Sequence, residues 1–193
     1  MKLIRFLASF SCIWFLGAIP ALSEKFSLVE LSNYFNRLNT FQANFRQFAD
    51  DGSVASGILF IKKPGRLRID YDKPEDLLIL ASGGQLAIFD PKGDPEPTSF
   101  PLRITPLALI LAKQLNLVDS SNILSHEYVN GETSLSLFDP EHPERGHIKL
   151  IFSGNTPILD RWVMHDESGS ITLMSIEQYK DCLLYTSPSP RDS

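Results

Sequence analysis

Four histidines, His126, His142, His147 and His165, are the side chains best suited to acid–base or metal chemistry. His142 and His147 flank a loop at a spacing that matches no metal-ligating signature. His165-Asp166 precedes a Ser168-Gly169 turn, and turn chemistry accounts for it. Asp50-Asp51-Gly52 offers two carboxylates, but the rest of a calcium loop is missing and Asp-Gly is itself a hairpin turn. Arg161-Trp162 reads either as a cation–π contact or as a strand aromatic facing the core. The sequence holds no G-x-S-x-G, H-E-x-x-H or C-x-x-C and no glycine-rich phosphate loop. The residues give no catalytic set, no metal site and no cofactor, so the expectation is a protein that is not an enzyme.

The elements that would position any site are mostly strands. "FSLVELSNYFNRLNT" places Leu28, Leu31, Phe35 and Leu38 at helical spacing, with Ser27 as cap. "TFQANFRQFAD" then alternates, Asp51-Gly52 turns the chain, and "VASGILFIKK" and "RLRIDYD" follow around Pro64-Gly65. Further strands end at Gly83-Gly84, Asn130-Gly131 and Ser168-Gly169. "TPLALIL" interrupts them as a short helix, with Thr105 as cap and Pro106 at its first position. Ten or eleven strands with two or three helices, nearly all joined by hairpin-length loops, predict a mainly β (α+β) fold. The predicted form is an open, strongly curved antiparallel sheet covered by helices.

One hairpin carries the functional question. A two-residue Pro64-Gly65 loop pairs Lys63 with Arg66 and Phe60 with Ile69. Ile58, Phe60, Leu67, Ile69 and Tyr71 then share one apolar face, with Leu59, Ile61, Arg66, Arg68 and Asp70 on the other. A three-residue loop would swap the pairing. A sheet with one apolar face needs a cover, and two modest helices must cover ten or more strands. The sheet therefore either curls on itself or keeps an apolar hollow.

The ends read separately. Lys2 and Arg5 precede an uncharged run, Phe6–Ile19; Pro20 and "ALS" at 21–23 complete a secretory signal peptide over residues 1–23, cleaved before Glu24. A single domain is expected over 24–181. "CLLYTSPSPRDS", residues 182–193, reads as a non-native, adapter-like tail. Without Lys2 and Arg5, 18 Lys and Arg fall to 16 against 23 Asp and Glu, a net charge of −7. That balance disfavours nucleic acid as a partner. Cys12 leaves with the signal and only Cys182 remains, so the exported chain has no internal disulfide. The compartment reads as the periplasm.

Five stretches in order are more specific than any one. "TFQANFRQ" resembles the F-x-A-x-F-x-Q opening of the periplasmic outer-membrane lipoprotein carrier family (LolA-like). "GILFIKKPGRLRIDYDKP" resembles its central hairpin, and "LLILASGGQLAIFDP" its next strand pair. "TPLALIL" resembles its inserted helix, and "ILDRWVMHDESGSITLMSI" its late strand pair. The resemblance spans about residues 28–178. It implies an incomplete, strongly curved antiparallel β-barrel of about eleven strands, with helices forming a lid over an apolar concave face, and a non-enzymatic, monomeric chaperone. Such a protein takes acylated lipoproteins from an inner-membrane ABC transporter to an outer-membrane receptor. It implies a lipid-binding wall of Ile58, Phe60, Leu67, Ile69 and Tyr71, under a lid of Leu31, Phe35, Leu107, Ile110 and Leu111. Where the family often has an Arg thought to close the lid, this chain has Lys63, which keeps the charge but not the planar fork. Other classes are an exported lipid-binding or envelope-stress sensor domain on the same fold, or a periplasmic β-domain with a filled core.

Overall fold

The computed structural model of the chain describes residues 24–181, with side chains up to residue 177. The expected signal peptide and tail, with Cys12 and Cys182, lie outside the described residues. Helix α1 spans Leu28–Arg37, and its start follows the predicted cap. Ser27 Oγ accepts from Glu30 N at 3.3 Å, while Ser27 N donates to Glu30 Oε2 at 2.8 Å. This reciprocal box satisfies two donors that the first turn leaves open. Leu31 and Phe35, four apart, are buried on its inner face.

Six strands follow: β1 Thr40–Ala49, β2 Val54–Lys62, β3 Arg66–Tyr71, β4 Leu78–Ser82, β5 Gln85–Phe89 and β6 Thr98–Pro101. After a strap, residues 102–122, come β7 Ile123–Val129, β8 Glu132–Phe138, β9 His147–Ser153, β10 Ile158–His165 and β11 Ile171–Asp181. The strap begins with a 3₁₀ turn, Leu102–Ile104, and contains the short helix α2, Leu107–Ile110. Thr105 does not cap α2 as predicted. Its hydroxyl donates backwards to Leu102 O at 2.8 Å, which leaves α2 without a side-chain cap.

All eleven strands form one antiparallel sheet, ordered β6-β5-β4-β3-β2-β1-β11-β10-β9-β8-β7. Consecutive strands are neighbours except β6 and β7, and the first and last strands meet in the middle. The sheet does not close: β6 and β7 are its two edges, and the strap runs from one to the other. Both wings contribute to one apolar core, as a strongly curved sheet requires. The cross-strand rows Phe41–Ile61–Leu67–Ala81–Leu86 and Ala43–Leu59–Ile69–Ile79–Ile88 line the inner face of one wing. Leu135, Leu137, Ile148, Leu150 and Phe152 line the other.

Candidate lipid-binding hollow and its cover

The β2–β3 register corrects the predicted wall. Lys62, not Lys63, pairs with Arg66, so Leu59 pairs with Ile69 and Ile61 with Leu67. Residues 63–65 form a three-residue turn. Leu67, Ile69 and Tyr71 face inward and are buried as expected, but their companions are Leu59 and Ile61. Ile58 and Phe60 lie on the outer face, opposite Asp70 and Arg68, and are half-buried. A one-residue slip in a strand exchanges its faces completely.

The turn is three residues long because its polar groups are used elsewhere. Lys63 N donates to Asn39 O at 2.7 Å, and Gly65 N donates to Leu111 O of the strap at 2.8 Å. Gly65 has φ of +66°, a region glycine enters without steric penalty. Lys63 Nζ reaches α1 and donates to Phe35 O at 2.8 Å. Its half-buried site pushes the ammonium pKa below the ordinary lysine value through desolvation. Lys63 therefore bonds a carbonyl of the cover. Arg66 and Arg68 are exposed, and Arg68 is engaged by Asp70 at 2.7 Å.

At the far end of β3 the wall turns polar. Tyr71 packs edge-on against Phe45, ring centroids 5.1 Å apart, and its hydroxyl donates to Gln47 Oε1 at 2.5 Å. Burial pushes the Tyr71 pKa up to about 12. The two rings meet over Gly57, where an added Cβ would stand 2.0 Å from Asp70 O and 2.9 Å from the Phe45 ring. Only glycine lets β2 and β3 stay paired there.

The hollow is filled by its own cover. Leu31 and Phe35 enter from α1; Leu102, Leu107, Ile110, Leu111, Leu115 and Leu117 enter from the strap, all at most 8% exposed. Leu115 and Leu117 went unnamed in the sequence reading, as did the β8–β9 wall, although "SLSLF" and "HIKLIF" alternate plainly. A cleft of about 470 Å³ separates the strap at Ile104, Thr105 and Pro106 from Met164 and residues 166–168.

The chemistry-bearing residues are structural. His126 Nε2 donates to Phe26 O at 2.9 Å. His142 faces Glu144, and His147 stacks on His165 with centroids 4.2 Å apart. Asp51 Oδ1 and Asp166 Oδ1 accept from backbone amides of their own turns. Trp162 is buried in the core and Arg161 pairs with Glu132. Among the described residues, no three His, Cys, Asp or Glu are grouped to hold a metal.

Residues 36–182 match the family described as outer membrane lipoprotein carrier protein LolA. An outer-membrane lipoprotein carrier protein of Nitrosomonas europaea is 29% identical over 164 residues, 80% of this chain and 78% of that protein. One of Azotobacter vinelandii is 28% identical over 119 residues, 58% of each chain. Among solved structures, a LolA superfamily protein from Nitrosomonas europaea aligns over 80% of this chain and 93% of its own, with 15% identity and a TM-score of 0.39. The chain belongs to the outer membrane lipoprotein carrier protein LolA family.

Proposed function

We propose that this chain is a periplasmic, monomeric chaperone that takes acylated lipoproteins from an inner-membrane ABC transporter and delivers them to an outer-membrane receptor. The observation that carries the reading is the filling of the hollow. Six of the side chains that fill it are aliphatic and come from the strap, and acyl chains can replace such groups without exposing the wall to water. Each buried methylene is worth ~0.8 kcal/mol, so three chains of some sixteen carbons carry on the order of 30 kcal/mol of hydrophobic penalty in water. Even withdrawing all six strap leucine and isoleucine side chains would cost, at ~1.5–3 kcal/mol each, only on the order of 10 kcal/mol. The exchange therefore favours uptake, while re-entry of the strap favours release. With no nucleotide motif in the chain, direction comes from the differing affinities of successive partners.

The test supplies protein starting at residue 24 to inner-membrane vesicles holding the transporter, a triacylated lipoprotein and ATP. Soluble lipoprotein should accumulate only when the chain is present, and no release would sink the reading. A naphthalene sulfonate probe should bind the folded protein, and Leu67→Glu should weaken binding without unfolding it.

A further inference from the structure

The two parts of the cover are attached in different ways. Helix α1 and the arm before it are fixed to both wings of the sheet. Lys63 holds Phe35 O from the β2–β3 turn. From the other wing, Leu159 N donates to Tyr34 Oη at 3.2 Å and Phe26 N donates to Thr133 Oγ1 at 3.0 Å. Phe152 also packs edge-on against both Tyr34 and Phe35.

The strap is pinned at its ends. Leu102 N donates to Gly84 O at 2.8 Å, and Asn122 exchanges two hydrogen bonds with Phe138 O and N. Its middle is held by Gly65 N to Leu111 O and by three hydrogen bonds from side chains of α1. Asn36 Oδ1 accepts from Leu115 N at 2.8 Å, and Asn36 Nδ2 donates to Leu115 O at 3.1 Å. Ser32 Oγ accepts from Leu117 N at 3.0 Å while donating to Leu28 O at 2.7 Å. The carboxamide and hydroxyl thus act as a short stand-in strand, satisfying the backbone of an extended segment.

We propose that the strap is the gate of the hollow, that α1 is its fixed post, and that Asn36 and Ser32 form the latch. Lys63 anchors the post and is not the latch. The reasoning is local. Releasing α1 breaks contacts to both wings at once, whereas releasing residues 111–117 breaks one backbone bond and the three latch bonds. With both ends pinned, the middle of the strap bows outward and withdraws Leu111, Leu115 and Leu117 from the wall. The inference rests on the carrier reading only for what passes the gate.

The experiment is amide hydrogen exchange on the lipid-free protein, read at Leu115 and Leu117, with Leu135 and Leu150 of the β8–β9 wall as internal references. Asn36→Ala and Ser32→Ala should each speed exchange at Leu115 and Leu117 by about tenfold relative to the references. Asn36→Asp, which retains the acceptor for Leu115 N, should restore part of the protection at Leu115. Lys63→Met should leave the ratio of strap to reference exchange at the wild-type value. Strap release by Lys63→Met equal to that of Asn36→Ala would overturn the assignment. So would a uniform rise at all four amides, or no rise, in both latch variants. Uptake of a synthetic triacylated lipopeptide separates the two readings: strap exchange as expected with no uptake in any variant sinks the carrier and leaves the gate standing.

Discussion

The two wings of the sheet meet their shared cover in different ways. On the β8–β10 wing, Leu135, Leu137, Ile148, Leu150 and Phe152 are wholly buried. Phe152 meets the edges of Tyr34 and Phe35 of α1 at centroid distances of 5.7 and 5.8 Å. On the β2–β6 wing, the strap is tied to two hairpin turns, through Gly84 and Gly65. There Ile79, Ile88 and Phe100 remain only partly covered. One wing is a finished core, and the other is tied to the segment proposed above as the gate; on that proposal a binding hollow is built without being left empty.

The sharpest way to break this contrast is truncation on the finished side. Phe152→Ala should cost about 3–5 kcal/mol of stability, because it removes a fully buried ring and the edge contacts that seat α1. Urea denaturation measures it; a loss under 1 kcal/mol would mean that this wing also repacks freely. Next comes Leu111→Ala in the strap. It should cost about 2–4 kcal/mol of stability yet tighten binding of a triacylated lipopeptide, since the ligand then displaces a weaker competitor. A parallel loss of stability and affinity would place Leu111 in the binding wall rather than in the gate.

The smallest effect sharpens where the exchangeable wing ends. Tyr71 has its folded pKa raised to about 12 by burial, against about 10 in an unfolded chain. An acid whose folded pKa is raised contributes stability fully present below pH 10. That contribution is lost as pH rises from about 10 to 12, at most roughly 3 kcal/mol. Comparing urea midpoints of wild type and Tyr71→Phe from pH 9 to 12 reads this out. The variant should lack the alkaline loss; identical profiles would show that Tyr71 ionises as an exposed tyrosine does.

Alternation made much of the fold legible before any coordinates. The Ser27 cap, the hairpin turns and the inward set Leu67, Ile69 and Tyr71 all followed from residue type and period. The β2 half of the wall did not, for a physical reason. "GILFI" is apolar at both parities, so Leu59 and Ile61 fit the core as well as Ile58 and Phe60 do, and only the register decides. That register depends on Gly65 N donating to Leu111, 46 residues away along the chain, rather than closing a tight turn. The latch was hidden for the same reason. Asn36 and Ser32 are ordinary polar helix residues until the strap arrives at residues 115 and 117.

The pairing of β1 with β11 governs how this protein comes into being. Arg46 and Glu177, joined at 2.8 Å across that pair, lie 131 residues apart in sequence. The central seam of the sheet therefore waits for the last strand to be made. Until then β1 is an open edge carrying Phe41 and Phe45, a template for wrong partners. Closing that one seam across so long a stretch of chain predicts slow folding, in the range of milliseconds to seconds typical of β-rich chains. A nascent chain passing any point amino end first would remain unable to complete its sheet until β11 had passed.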